Sequence, residues 1–129
     1  MSTHPGIDLV HIPSFAELLN TPGSRFDQVF SAREHRIATT KPRRDEHLAG
    51  RWAAKEAFIK AWSQSRYGQP PSITQEQLNW REIEIIPDAY NRPIIHLSGT
   101  IADITGIDTI PVSISHDGDY ATAICIFNT

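Results

Sequence analysis

Along the chain, hydrophobic positions switch between a period of two and a period near 3.6. Gly6–Ile12 (GIDLVHI) alternates, with Ile7, Leu9 and His11 on one side and Asp8, Val10 and Ile12 on the other. That pattern predicts a short strand carrying a carboxylate among apolar neighbours. Pro13 suits the first turn of a short helix over Ser14–Asn20. Pro22 and Gly23 then mark a turn over Thr21–Ser24. Arg25–Phe30 reads as a helical turn, and Ser31 with Glu34 forms a capping box opening a helix over Ala32–Thr39. Pro42 breaks that pattern, and a long helix is expected from about Asp45 to Ser65 with Asp45 as its N-cap. Tyr67–Ser72 reads as a loop. Glu82–Ile86 and Pro93–Ser98 predict a hairpin around Pro87–Arg92, and Gly99–Gly106 a short helix. Pro111–Ser115 and Tyr120–Phe127 predict a second hairpin around His116–Asp119. The expected fold is α+β in one domain over residues 1–129: one long helix packed on an antiparallel sheet, with short flanking helices.

The long helix departs from ordinary amphipathic patterning. Gly50, Ala54, Ala57, Phe58 and Ala61 share one side at about 100° per residue, small enough for another backbone to approach. Leu48, Trp52, Ile59 and Trp62 fill another arc. A helix apolar over most of its surface is expected to be buried. Glu56 and Lys60 lie four residues apart, which by itself reads as a surface ion pair of about 0.2–0.5 kcal/mol. Their apolar flanks argue for more, because a charge on a buried helix needs a partner, a metal or a ligand. Arg51 and Lys55 form a second charged stripe beyond Trp52. A carboxylate beside clustered cations suits a metal–phosphate site, and Asp8 could supply a second carboxylate.

Composition narrows the setting. The chain has 129 residues, enough for a core without disulfide staples. The single cysteine, Cys125, has no intrachain partner, so a reducing, cytoplasmic setting is expected. Met1–Pro5 is polar, and no apolar run approaches the ~20 residues of a membrane span, so neither a leader nor a membrane role is expected. Net charge is −3, which points away from nucleic acid, but its distribution is uneven. All twelve Lys and Arg lie between Arg25 and Arg92. Arg25, Arg33, Arg36, Lys41, Arg43 and Arg44 crowd one stretch, while Pro93–Thr129 holds four Asp and no cation. Such asymmetry fits an anionic ligand or partner.

Three segments together carry a more specific signal. Gly6–Ile12 resembles the N-terminal G-x-D signature of the 4′-phosphopantetheinyl transferases. Trp52–Ala61, within Arg51–Trp62 (RWAAKEAFIKAW), is similar to their second signature, W/F-A-A-K-E-A-x-x-K-A. Ser113–Ala123 (SISHDGDYATA) resembles the serine- and histidine-containing segment near the end of the short bacterial members. The resemblance covers essentially the whole chain. It implies that coenzyme A donates 4′-phosphopantetheine to a serine of apo acyl carrier protein, with release of adenosine 3′,5′-bisphosphate, a step in fatty acid biosynthesis. It further implies Mg2+ held by Asp8 and Glu56, with Glu56 and Lys60 catalytic and Lys60 at a phosphate oxygen. Arg51, Lys55, Arg92, Pro93, Ser115 and His116 would line the coenzyme A site with Lys60. Arg25, Arg33, Arg36, Arg43 and Arg44 would dock the acidic carrier protein or carrier domain. Members often carry arginine near the position of Ser14, which this chain lacks. The resemblance also implies a homotrimer with interfacial sites, the Ser115–His116 segment coming from a neighbouring subunit. Two other readings of the same residues are a coenzyme A-binding module without chemistry and a metal-dependent phosphohydrolase.

Overall fold

The computed structural model describes all residues from Met1 to Thr129. Strand β1 (Thr3–His11) leads directly into helix α1 (Ile12–Asn20). A 3-10 turn at Phe26–Val29 and helix α2 (Ala32–Thr39) precede the long helix α3 (Arg44–Ser65). Two further 3-10 turns, Gln75–Gln77 and Trp80–Glu82, lie before strand β2 (Ile83–Pro87). Strand β3 (Pro93–Leu97), helix α4 (Gly99–Thr105), strand β4 (Thr109–Asp117) and strand β5 (Tyr120–Asn128) follow. The strands form one antiparallel sheet in the order β1-β5-β4-β3-β2, so the first strand pairs with the last.

Local signals account for most of these elements. The Ser31 hydroxyl accepts from the Glu34 amide at 3.1 Å, and the Ser31 amide donates to Glu34 Oε1 at 2.9 Å, completing the expected capping box. The β1 segment is longer than its alternation indicated, because Thr3–Pro5 find partners in Ile126–Asn128. Helix α3 begins one residue before Asp45. Its N-cap position is Arg43, which makes no side-chain cap, and Asp45 lies in the first turn, where a carboxylate favours the helix dipole. The β4–β5 hairpin also corrects the expectation: His116 and Asp117 pair with Ala121 and Tyr120 as strand residues. The turn itself is only Gly118–Asp119, made possible by the positive φ of 57° at Gly118.

Helix α3 crosses the inner face of the sheet and is buried over most of its length. Leu48, Ala49, Ala53, Ala54, Ala57, Phe58 and Ala61 are completely inaccessible. The small residues let β1 approach: a Cβ on Gly6 would collide with the Ala57 carbonyl oxygen and with Ala61. Neither backbone can yield locally, so Gly6→Ala is expected to cost about 1–3 kcal/mol by overpacking. Asp8, two residues along the same face of the strand, would move with it. An unfolding free energy from chemical denaturation within about 0.5 kcal/mol of wild type, the range of ordinary surface changes, would count against this tight crossing. Cys125 is fully buried in the core, where desolvation pushes its thiol up to about 12, so it behaves as an apolar residue. No helix is long and apolar enough to cross a membrane.

Candidate active site

Alternation in β1 turns Gly6, Asp8 and Val10 toward the helix and leaves Ile7 and Leu9 outside. Asp8 is therefore buried, 8 % exposed, although β1 is a sheet edge. It faces the Glu56–Lys60 turn of α3. The ion pair suggested by the four-residue spacing of Glu56 and Lys60 is replaced by one between elements. Lys60 Nζ donates to Asp8 Oδ1 at 2.8 Å, its side chain still 57 % exposed. The ammonium thus holds the strand carboxylate and keeps a face open to a ligand.

Two carboxylates remain undercompensated. Asp8 Oδ2 is buried with no hydrogen-bond partner. The Glu56 carboxyl is pushed up to about 7, first by burial and then by the neighbouring Asp8 carboxylate, against the opposing pull of Lys60. Two neighbouring carboxylates on a largely buried face, one with an orphaned oxygen, would be relieved by a cation between them. No group of three or more His, Cys, Asp or Glu is arranged to hold a metal, so a cage built only from protein ligands does not form. Two carboxylates with an orphaned oxygen do fit Mg2+, which takes one or two protein carboxylates and fills its shell with water and phosphate oxygens.

Glu56 also lies at the edge of an open cleft of about 720 Å³. Ile59, Trp62 and Arg66 form its α3 side, and Ile73, Leu78 and Trp80 form the opposing wall. Size and mixed lining suit an elongated ligand with apolar and polar parts. Trp80 packs on Trp52 with ring centroids 4.6 Å apart. Sequence reasoning passed over this wall, because residues 73–81 show neither period. The presence of Trp80 in an otherwise polar stretch was the available signal.

The remaining candidates fall in three places. Arg51 is partly buried and has no ion-pair partner; desolvation lowers its pKa while Glu34 opposes the shift. Beside it, His47, which the motif reading did not single out, is pushed down to about 4 by burial, Arg51 and Lys41. Its four-residue spacing to Arg51 was the legible signal. The neutral imidazole leaves Arg51 and Lys41 as the cations on either side of it, a local source of positive potential. Arg92 and Pro93 lie at the β2–β3 tip, where Arg92 Nε donates to Asp88 Oδ2 at 2.7 Å and the guanidinium lies 5.0 Å from the centre of the Tyr90 ring. Ser115 and His116 are on β4, with His116 Nδ1 3.5 Å from Glu46 Oε1. Glu46 precedes Glu56 by ten residues, about 15 Å along the helix axis. A single chain therefore does not bring His116 to Asp8 and Glu56.

Lys55 is the clear correction. It was expected to line a ligand site, yet it is fully buried. Its ammonium donates to Glu34 Oε1 at 2.8 Å, to the Trp80 carbonyl at 3.0 Å and to the Ile83 carbonyl at 2.5 Å. All three donors point inward and no charge remains for coenzyme A. Of the basic stretch, Arg25, Arg33 and Arg36 are exposed without ion pairs. Arg43 reaches Glu46 at 3.6 Å and Arg44 reaches Asp45 at 3.2 Å.

Comparison with known proteins gives a consistent result. Residues 5–125 match the 4′-phosphopantetheinyl transferase superfamily. A holo-[acyl-carrier-protein] synthase of Corynebacterium efficiens is 51 % identical, over 95 % of this chain and 92 % of that protein. The Mycobacterium tuberculosis protein of the same name is 48 % identical, over 94 % and 92 % respectively. A solved structure described as the Chronobacterium ammoniagenes ACPS-CoA complex superposes with a TM-score of 0.90 at 55 % identity, covering 98 % of this chain and 96 % of that one. With a match running from β1 through β5 and relatives alike over nearly their whole length, the chain belongs to the 4′-phosphopantetheinyl transferase superfamily.

Proposed function

We propose that the protein transfers 4′-phosphopantetheine from coenzyme A to a serine of apo acyl carrier protein. The reaction is Mg2+-dependent, belongs to fatty acid biosynthesis and takes place in the cytoplasm. The observation that carries this reading is the Asp8–Glu56–Lys60 arrangement at the mouth of the cleft, together with the coenzyme A complex of a relative 55 % identical. In the transfer, the serine oxygen forms a bond to the pantetheine-bearing phosphorus of the pyrophosphate. The bond to the bridging oxygen breaks, adenosine 3′,5′-bisphosphate leaves, and the serine proton would pass to the Glu56 carboxylate or to a water beside it. Asp8 and Glu56 would hold Mg2+, which when bound supplies charge neutralisation at the pyrophosphate. Lys60, with its ammonium anchored on Asp8, is placed to meet a phosphate oxygen and carry a proton toward the leaving group. Arg51, with Lys41 on the far side of the neutral His47, would offer positive potential for further phosphate charge. The cleft between Trp62 and Trp80 would take the pantetheine arm. Arg25, Arg33, Arg36, Arg43 and Arg44 would steer the acidic carrier.

Assembly as a homotrimer belongs to the same proposal. The outer face of the sheet leaves Ile7 and Leu9 63 % and 64 % exposed, with Ile124 paired beside Ile7, an apolar surface that association would cover. A neighbour's β4 could then bring Ser115 and His116 to the site, which one chain cannot do for itself. Arg92 and Pro93 would reach the nucleotide from the hairpin tip.

The decisive experiment is mass spectrometry of apo acyl carrier protein incubated with the protein, coenzyme A and Mg2+. A gain of one phosphopantetheine is expected, and it requires Mg2+. An unchanged carrier mass with release of adenosine bisphosphate would favour a hydrolase instead. Because Glu56 holds a proton up to about pH 7, Mg2+ binding should release protons. Affinity should rise with pH through about 7 and level off above it, read by calorimetry in buffers of different ionisation enthalpy. Affinity that is flat from about pH 6 to 8 would remove Glu56 from the metal site.

A further inference from the structure

We infer that Lys55 is a positioning residue: its buried ammonium pins the Trp80 wall of the cleft to helix α3 and so sets the width of the coenzyme A site. The inference rests on the transferase reading for its ligand but on geometry for its substance. Lys55 immediately precedes Glu56, so consecutive residues of one helix face different directions. Glu56 meets the cleft, and Lys55 reaches behind the wall.

The hydrogen bonding of the wall shows why this tie matters. Gln69 and the Arg66 side chain bond within Arg66–Pro70, and Thr74 closes a capping box with Gln77. Leu78 donates to Gln75, and both Arg81 and Glu82 donate to Asn79. These bonds stay inside the segment, and the outward bonds of Glu82, from the Ser98 amide at 3.1 Å and the Ile101 amide at 3.2 Å, lead to the β3–α4 junction and not to α3. At its N-terminal end the wall is continuous with α3 through Arg66. At its far end, the polar link to the helix is Lys55 Nζ donating to the Trp80 and Ile83 carbonyls. Glu34 completes the junction. Its Oε1 accepts from Lys55 and from the Ser31 amide, and its Oε2 accepts from the Ile85 amide at 3.0 Å. The three ammonium donors meet three acceptors, and both carboxylate oxygens of Glu34 are engaged. The ammonium also lies 5.6 Å from the centre of the Phe30 ring. Three segments are thereby locked at one point: the start of α2, the middle of α3 and the entry to β2.

Releasing the tie while keeping the core neutral isolates this role. Replacing a buried ion pair by residues of similar volume is often close to neutral in stability, whereas removing one partner is not. The test therefore uses Glu34→Gln with Lys55→Met, compared with Ile95→Ala, a core truncation in the sheet that leaves the tie intact. Without any ligand, amide exchange over residues 69–83 should quicken about tenfold in the double variant relative to the Ile95→Ala control. KM for coenzyme A should rise about tenfold, with kcat within about threefold, because the wall must be ordered upon binding. Wall exchange no faster than in the control would overturn the inference, as would faster exchange with an unchanged KM. Should the double variant not fold, Lys55→Arg retains the charge but lengthens the tie. A KM raised about threefold is then expected, and an unaltered KM overturns the inference. The exchange measurement involves no transfer chemistry. A wild-type protein inactive toward carrier would therefore defeat the proposed function while still leaving the wall's anchorage tested.

Discussion

Glu56→Gln is expected to lower transfer about 10²–10³-fold or more while leaving the fold intact. The carboxylate lost is one of two that would hold Mg2+ at the pyrophosphate, and an amide cannot replace its charge. The same substitution should make the metal-free protein more stable near pH 8. In the folded state the Glu56 carboxyl is raised from an ordinary 4.5 to about 7. The fold therefore favours the protonated form. Its contribution to stability is complete below about pH 4.5 and is lost as pH rises through 7. A neutral Gln mimics the protonated acid at every pH and relieves repulsion with Asp8. Thermal melts of wild type without divalent metal should fall over that window, and those of Glu56→Gln should stay flatter. Added Mg2+ should restore the wild type and leave the variant unmoved. Near-normal transfer by Glu56→Gln would remove the residue from both the metal and catalytic roles.

Glu34→Ala should give the largest loss of stability, about 3–5 kcal/mol, because it leaves the Lys55 ammonium buried without its counter-ion. That is a large part of the ~5–15 kcal/mol that holds a typical domain together. Other costs point the same way. The Ile85 amide loses its acceptor and the capping box of α2 is opened. Burial already lowers the Lys55 pKa, and Glu34 is the first influence opposing that shift. Without the carboxylate, the lysine is driven further toward its neutral form. A drop in melting temperature of roughly 10–20 °C is expected for a chain of this length. Adding Lys55→Met to Glu34→Ala should recover a substantial part of it. A melting temperature within a few degrees of wild type would show that the junction is hydrated or rearranges.

These two residues show where sequence reasoning succeeds and where it stops. Ser31 and Glu34 were legible as a capping box, because capping depends on a three-residue spacing and two side-chain types. The second use of Glu34, as counter-ion to Lys55, was not, because the partner lies 21 residues away on another helix. Likewise the alternation of β1 correctly separated Asp8 from Ile7 and Leu9. It could not tell that an edge strand would have one face sealed by α3. The pattern Glu56–Lys60 indicated neighbours on one helix face, and both do sit at the candidate site. The bond that forms is nevertheless Lys60 to Asp8, since an approaching strand offers a second carboxylate at better range.

By itself, the sequence determined the main helices and strands, the antiparallel α+β class, the nearly all-apolar helix and the signature stretches that point to the superfamily. Each of these depends on local spacing, residue size or motif order, which the linear chain carries in full. Tertiary structure decided which charges face a ligand and which face the core. It turned Lys55 inward and Glu56 toward the cleft, although they are adjacent in sequence. It built the opposing wall from the aperiodic stretch around Trp80. It also held His116 against Glu46, a helix segment away from Glu56. The physical reason is the same in each case: periodicity specifies the side of an element on which a residue lies, while its charge state and chemistry depend on what packs against that side.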